Sequence, residues 1–462
     1  MIFFWTDTLL FILLLMLVAT IFRTRSKEHL RRPWRKVARS TSAMVSLTVL
    51  VFYLGFGILD SVHFHPADGQ VGEGKFKTEA MSLLDWWATP LRQRVERTYS
   101  APFAAYAFAR ENIRGADGVS RWAYPRLLYG GAHLVDPEQE KFADILQRGF
   151  AGIAHGFLVW LGLVGLFVAA RAHSVRVSVR QCGTELALGK TEIPWRAVFL
   201  TLLLILALGF GLGELSLKYH VFGTDKVGED VFFQSLKSIR TGLLIGTLTT
   251  FITLPLALAL GILAGYYRGW VDDVIQYIYT TLNSIPGVLL IAASMLLMQA
   301  YMARHEAEFA SLALRADFRL LFLCMILGLT SWTGLCRLLR AETLKLREME
   351  YVQAARALGV RQGNILLRHI LPNVFHLVLI SVALDFSSLV LAEAVLSYVN
   401  IGVDPTTESW GNMINSARLE MAREPVVWWS LSAAFIFMFA LVLAANLFAD
   451  AVRDAFDPRR AE

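Results

Sequence analysis

Apolar residues gather into nine runs of about 18 or more, near 2–22, 43–60, 150–171, 197–214, 241–266, 274–299, 318–338, 376–397 and 428–449. Each is long enough to cross about 30 Å of hydrocarbon as a helix. The pattern therefore predicts an all-α polytopic membrane protein with about nine transmembrane helices. Between the last three runs the pattern changes in one polar, basic stretch, 340–375. Within it Tyr351, Ala354, Ala355 and Leu358 fall at i, i+3, i+4 and i+7, with Glu350, Gln353 and Arg356 on the other side, so a short amphipathic helix is expected there. Gly359 stands where such a helix ends in a left-handed residue, a second helical pattern runs from Arg361 to Leu371, and Pro372 restarts the chain. A helix–Gly–helix hairpin of this kind can rest on the bilayer surface, on its own protein, or in a partner's groove, which the paired alanines would admit closely. Spacing alone leaves these open.

Composition agrees with the runs. A chain of 462 residues that is 55% hydrophobic, with 12 Trp and 30 Phe, is too apolar to be soluble unless those residues cluster into spans. The basic residues then set the orientation. Segments 23–42, 171–196, 267–273, 337–375 and 450–462 hold 24 of the 44 Lys and Arg, against 9 in the short segments 215–240, 300–319 and 398–427. The rule that positive loops stay inside puts the N-terminus outside, and the C-terminus and the 340–375 loop in the cytoplasm. The net charge of +6 then lies beside the inner leaflet and calls for no nucleic acid. The first run lacks a basic leader and is followed by Arg23, Arg25, Lys27, Arg31 and Arg32, the pattern of a retained anchor.

Four stretches follow. Residues 1–60 are expected to form a two-helix membrane anchor around a basic turn. Residues 61–149 form an extracytoplasmic domain of mostly helical composition, with 11 basic and 11 acidic residues and many aromatics, expected to touch a partner protein. Residues 150–196 supply one span and a cytoplasmic linker, and 197–462 a larger membrane domain with the polar loop 340–375. Cys182, Cys324 and Cys336 all lie outside 61–149, so no disulfide supports that domain. His63 and His65 alternate as ligands on a strand would, but no third ligand stands at a recognisable spacing, and no metal is expected. Gly183 to Thr191 imitates a phosphate loop, yet has five residues between its glycines where four are needed and no strand before it. No cofactor is expected on this chain.

Polar residues inside spans mark the candidate pathway. Asp385 lies near the middle of 376–397, where a carboxylate costs about 2.5–3.5 kcal/mol and should face the bundle interior or water. Ser388 is one turn on, and Glu393 is nearer the outer end. Asn283 and Pro286 interrupt 274–299, and a broken helix is tolerated only where buried or lining a cavity. Gly242, Gly246, Gly261 and Gly265 are small residues four apart, suited to close helix packing in lipid.

Residues 350–372 resemble the Glu-Ala-Ala loop of bacterial ABC-importer permeases, with Gln353 in place of the usual Glu and Ala354, Ala355, Gly359, Leu371 and Pro372 in their places. The sequence is similar to the dipeptide/oligopeptide (and nickel) branch, of the second-subunit type. Further matching stretches are Phe222-Gly223-Thr224-Asp225 with Gly228-Glu229-Asp230, Gly265-Tyr266-Tyr267, Ser409-Trp410-Gly411-Asn412-Met413 and Arg453 to Pro458. Glu229 stands where the family usually has Arg. The likeness covers about 219–458 and leaves out residues 1–195. It implies a type I permease core in the last five or six helices, a coupling loop of Tyr351, Gln353, Ala354, Ala355, Leu358, Gly359, Leu371 and Pro372, and outer motifs at Gly223, Thr224, Asp225, Asp230, Trp410, Gly411 and Asn412. The implied partners are a second permease, two ATPase subunits that bind the ATP, and an extracytoplasmic solute-binding protein delivering peptides to a bacterial inner membrane. The competing expectations are a self-sufficient membrane protein, either a proton-coupled carrier using Asp385 and Glu393 or an intramembrane hydrolase, and an importer whose substrate is nickel or another small solute.

Overall fold

The computed structural model describes residues 4–25, 28–64, 80–114, 120–307, 309 and 311–456. In chain order the elements are α1 (Trp5–Arg25), α2 (Glu28–Arg39), α3 (Thr41–Ser61), β1 (His63–Phe64), β2 (Met81–Ser82), α4 (Leu83–Trp87), α5 (Thr89–Arg92), β3 (Glu111–Arg114) and β4 (Ser120–Ala123). Then come α6 (Pro137–Val175), α7 (Val179–Leu188), α8 (Trp195–Ser216), α9 (Val231–Tyr267), α10 (Trp270–Ser284), α11 (Gly287–Arg304), α12 (Leu312–Arg347), α13 (Glu350–Ala357) and α14 (Gln362–Ile365). A π turn, Leu366–Ile370, leads into α15 (Leu371–Tyr398), followed by α16 (Trp410–Glu420) and α17 (Trp429–Phe456).

Among the described residues each expected run is essentially helical except 274–299, and seven helices are long and apolar enough to cross a membrane: α3, α6, α8, α9, α11, the continuous Gln362–Tyr398 and α17. The first run falls short because its apolar part spans only Trp5–Thr20. The run 318–338 lies inside α12. The run 274–299 is broken as its sequence predicts: α10 stops at Ser284 and α11 begins at Gly287 behind Pro286.

The chain divides into two compact units. The first comprises Ala38–Arg240 and Glu408–Ala444. In it α6 and α8 pack so closely that a Cβ added at Gly152 would lie 2.6 Å from the Phe210 carbonyl oxygen, and one at Gly156 2.6 Å from that of Leu206. The expectation of a mainly helical outer domain is corrected here. Among its described residues 61–149 hold two small antiparallel sheets, β1 with β2 and β3 with β4, and the short α4 and α5 joined by irregular chain. The domain's far boundary also moves, because α6 begins at Pro137 behind an Asp136 cap. Alternating apolar and polar residues over only two to four positions were too short to register as strands. His63 pairs with Ser82 in the first sheet, and His65 lies outside the described residues.

The second unit holds α1, α2, residues 241–407 and the end of α17. The two-helix anchor is thus not a unit: α3 belongs to the first body, while α1 packs into the second. The Trp5 backbone N–H donates to Asp317 Oδ2 at 2.9 Å, Thr6 Oγ1 donates to the same carboxylate, and Leu10 is buried beside Leu244, Ile245, Met298 and Leu323. A carboxylate at a helix start satisfies otherwise orphaned N–H groups and complements the helix dipole, so Asp317 fastens α1 by its end. A second cluster joins Ala257 and Ala264 of α9 to Trp332, Cys336 and Leu339 of α12 and to Val352, Ala355, Ile365 and Val374. The small residues predicted for close packing serve here: a Cβ added at Gly261 would lie 2.8 Å from the Cys336 carbonyl oxygen, and one at Gly265 2.7 Å from that of Arg340.

Candidate functional site

The polar stretch between α12 and α15 is a rigid platform. Below it, Arg340 grips Asp272 through Nε at 2.6 Å and Nη2 at 2.7 Å, the paired geometry that makes Arg–carboxylate contacts strong. Arg347 donates to the Tyr266 carbonyl oxygen at 2.6 Å, and Arg268 meets Glu348 at 2.8 Å. These bonds tie the Gly265-Tyr266-Tyr267 end of α9 and the start of α10 to the end of α12, and α13 stands on that base.

The face of α13 differs from the one its spacing predicts. Val352 and Ala355 point inward, 1% and 8% exposed, into the apolar cluster, while Tyr351, Ala354 and Leu358 are exposed, Leu358 at 84%. The sequence puts the inner and outer apolar stripes side by side, so reading them as one face merged a packing surface with a free one. Asn373 Nδ2 steadies Tyr351 by donating to its hydroxyl at 3.1 Å, and Gln353 Nε2 donates to Glu348, at 3.3 Å to the backbone oxygen. A cavity of about 360 Å³ opens beside α13, lined by Tyr266, Arg347, Glu348, Val352, Gln353, Arg356 and Ala357.

Gly359 ends α13 with φ +75°, as expected. Its N–H donates to the Arg356 oxygen at 3.1 Å and the Val360 N–H to the Ala355 oxygen at 3.0 Å, the two bonds of a Schellman stop. Beyond it the expected restart at Pro372 does not occur. α14, the π turn and α15 run on as one helix from Gln362 to Tyr398. Proline has no N–H and its ring crowds the carbonyl four residues back, so a plain α-helix would lose a bond there. The wider turn absorbs the conflict, with the Leu371 N–H donating five residues back to Leu366 and Asn373 Nδ2 donating to the His369 oxygen at 2.6 Å.

The pathway candidates separate into two kinds. Asp385 and Ser388 of α15 share a cavity of about 50 Å³ with Thr250 and Thr253 of α9, Ser331 of α12 and two leucines. Glu393 does not join them: it is 2% exposed and accepts from Ser397 Oγ at 2.7 Å within its own helix. Asn283 accepts from Thr333 Oγ1 at 3.1 Å, which holds the broken end of α10 against α12, and Pro286 opens α11. The carrier reading needs Asp385 and Glu393 to exchange a proton, and the two are not brought together.

In the first unit the outer motifs form a clasp around residues 96–100. Gly223 and Gly228 have φ of +68° and +88°, and a Cβ would lie 2.3 Å from the Ser100 oxygen at one and 1.9 Å from the Glu96 oxygen at the other. Thr224 Oγ1 donates to the Thr98 oxygen at 2.9 Å and accepts from the Ser100 N–H at 2.6 Å, while Trp429 Nε1 donates to the Thr224 oxygen at 2.9 Å. Asp225 Oδ1 accepts from the Val227 and Glu229 N–H groups, and Asp230 Oδ1 caps α9 by accepting from Phe232 at 2.9 Å. Glu229, the departure from the family pattern, accepts from Gln234 Nε2 at 3.1 Å. Trp410 is buried with Nε1 donating to the Ser235 oxygen at 3.1 Å, next to buried Gly411, and the Asn412 N–H donates to the capping Ser409 Oγ. These residues are structural fasteners of the first unit.

His220 completes the clasp, and nothing in the sequence marked it. Its Nδ1 lies 2.7 Å from Asp230 Oδ2 and its Nε2 3.5 Å from Glu96 Oε1, with the ring buried. Burial works against the charged ring, but the two carboxylates outweigh it and raise His220 to about 9. Burial likewise works against the Glu96 charge, but His220 and the N–H groups of Leu128, Tyr129 and Gly130 hold it down to about 2. A raised histidine contributes stability that is complete below its ordinary 6.5 and is lost as pH climbs through about 9. The depressed glutamate contributes above its ordinary 4.5 and loses this as pH falls through about 2. Thermal melting of the purified protein is therefore expected to move down between pH 7 and 10, and His220→Gln to flatten that slope; an equal slope in the variant would remove His220 as its cause.

Gly183 to Thr191 is mostly helix α7, which Gly189 ends with φ +72°, so its glycine N–H groups are not arranged as a phosphate cradle. Asp457 and Pro458 lie outside the described residues.

Comparison with known proteins agrees with the membrane spans. Residues 257–462 match the family described as binding-protein-dependent transport system inner membrane component. The chain is 32% identical over 240 residues to the glutathione transport system permease protein of Pectobacterium atrosepticum, a match covering 52% of this chain and 73% of that one. It is 32% identical over 242 residues to a putative peptide permease protein of Brucella suis, with coverages of 52% and 73%. It is 31% identical over 239 residues to the oligopeptide transport system permease protein of Mycobacterium tuberculosis, with coverages of 52% and 76%.

Proposed function

The chain belongs to the family of binding-protein-dependent transport system inner membrane components, and from that premise we propose that it is a permease subunit of an ATP-driven importer of peptides. The observation that carries the reading is α13: a short helix fixed from behind by Val352, Ala355 and the Arg340–Asp272 pair, with Tyr351, Ala354 and Leu358 left facing outward. A helix held this firmly transmits a push, and its free apolar residues suit a groove on another protein. In this reading a separate ATPase subunit grips α13 on the cytoplasmic side, and ATP is bound there and not by this chain. Orientation follows the basic loops, with the N-terminus outside and the C-terminus inside a bacterial inner membrane. A second permease completes the conduit as a heterodimer, with two ATPase subunits below and a solute-binding protein delivering peptides from outside. The chain itself carries out no covalent step. Asp385 and Ser388 line the path between helices, and the clasped segment 96–100 anchors an outer surface for the binding protein.

The test is to co-express the chain with an ATPase, a second permease and a solute receptor of the same importer family from its own genome and to reconstitute the product in vesicles. ATP-dependent peptide accumulation by the assembly and none by the chain alone is expected; accumulation by the chain alone, driven by a pH gradient, would overturn the reading.

A further inference from the structure

The Asp385 cavity has an asymmetry that its residue types alone do not reveal. Three of its four hydroxyls have already spent their proton: Thr250 Oγ1 donates to the Gly246 oxygen at 2.7 Å, Thr253 Oγ1 to the Thr249 oxygen at 2.9 Å, and Ser388 Oγ to the Asp385 backbone oxygen at 2.8 Å. What these hydroxyls present to the cavity is lone pairs. The Asp385 carboxylate beside them has no hydrogen-bond or ion-pair partner among the described residues. The wall therefore consists of acceptors, with Ser331 the one hydroxyl whose proton is uncommitted among the described residues. Such a wall offers an anion one hydroxyl proton at most, set beside a carboxylate that repels it, and suits a group that carries several N–H donors and a positive charge. At about 50 Å³ the space is far below the several hundred Å³ of a site that encloses a whole ligand, and takes a head group and not a whole peptide.

We propose that Asp385, with Thr250, Thr253 and Ser388, forms a subsite for the cationic amino group of the substrate on its way between the helices; the assignment of that cation to a peptide rests on the importer reading above. A primary ammonium has three N–H donors, enough for the carboxylate and two hydroxyl lone pairs at once. Being exposed on one side, Ser388 gives the site an open edge through which a passing amino terminus enters and leaves. Because a single carboxylate with weak hydroxyl partners holds such a group only loosely, the subsite favours passage over capture.

The experiment needs no knowledge of the natural peptide. In the assembled complex carrying Ser388→Cys, the introduced thiol is titrated with methanethiosulfonate reagents of similar size, one bearing trimethylammonium and one bearing sulfonate. The three native cysteines are buried and contribute little background. The preference for the cationic reagent is expected to exceed that of a free thiol in solution on the order of tenfold, and adding Asp385→Asn to bring the ratio back to the free-thiol value. Alaninamide, which has a free ammonium, is expected to slow modification, whereas N-acetylalaninamide is not. A rate ratio no greater than that of a free thiol, no reaction with either reagent, or equal protection by both amides would each overturn the proposal. Protection by sodium chloride as strong as that by alaninamide would assign the site to an inorganic cation instead and overturn it as well. These outcomes are separable from the importer reading, which stands or falls on ATP-dependence of uptake by the complex without the Cys substitution.

Discussion

Leu358→Asp is expected to strip the ATPase subunit from the purified complex while leaving the chain itself folded. Leu358 is 84% exposed, so inside this chain the change is a surface substitution worth within about 0.5 kcal/mol. Against a partner's groove the same change forfeits about 1.5–3 kcal/mol of leucine burial and forces a charge into an apolar site, so affinity should fall on the order of a hundredfold or more. Pull-down of the ATPase at matched expression, with thermal melting of the chain as control, reads both quantities. ATPase retained at full yield would show that α13 is not the docking element. Ala355→Arg is the weaker probe, although Ala355 belongs to the recognised motif. Ala355 is 8% exposed within the cluster of Val352, Ile365 and Ile370, and a guanidinium there would disrupt the platform itself. Loss of the partner in that variant could not be told from loss of the fold.

This contrast shows where the sequence was informative. Apolar runs of some twenty residues are long signals, and all but the broken 274–299 fall on one helix each among the described residues. The break at Pro286 and the left-handed Gly359 were equally legible, because proline and glycine carry their backbone constraints wherever they stand. What could not be read was the direction in which short elements face. Over eight residues, α13 has room for an inner stripe of Val352 and Ala355 and an outer stripe of Tyr351, Ala354 and Leu358, and neighbouring elements decide which is buried. The π turn was hidden for a related reason: Pro372 announces a conflict in the helix, but only the bonds of Leu371 and Asn373 show that the chain widens instead of stopping.

The outer motifs were legible as signatures and opaque as structure. Gly223, Thr224, Asp225 and Asp230 were visible as a turn of the resembled family, yet Gly223 and Thr224 close on residues 98–100, over a hundred positions earlier in a segment without family resemblance. His220 and Glu96 show the same limit. Neither stands in a motif, and they meet only because the clasp closes on that segment. The first-unit fasteners and the α13 platform thus differ in kind, one securing residues 96–100 from a distance and the other built from neighbouring helix ends.

Gly359→Val is expected to uncouple hydrolysis from transport without releasing the ATPase. The φ of +75° at this position costs a residue with a Cβ about 1–2 kcal/mol, and a β-branched one more. No heavy atom lies within 4 Å of where that Cβ would sit, so the penalty is purely backbone strain and is not confounded by a clash. Relief comes by rotating φ to negative values, which breaks the bonds from Gly359 to Arg356 and from Val360 to Ala355. The angle between α13 and α14 then becomes loose, while the outward face of α13, one turn earlier, keeps Tyr351 and Ala354 for docking. A partner would still bind but would push on a slack joint, so peptide moved per ATP hydrolysed should fall on the order of tenfold, with the ATPase yield unchanged. A graded series separates this from a local accident: Gly359→Asn, which tolerates the left-handed region, should be mildest, Gly359→Ala intermediate and Gly359→Val most severe. Transport per ATP that stays level across the series, with the ATPase bound throughout, would mean the turn transmits nothing and that coupling enters the spans elsewhere.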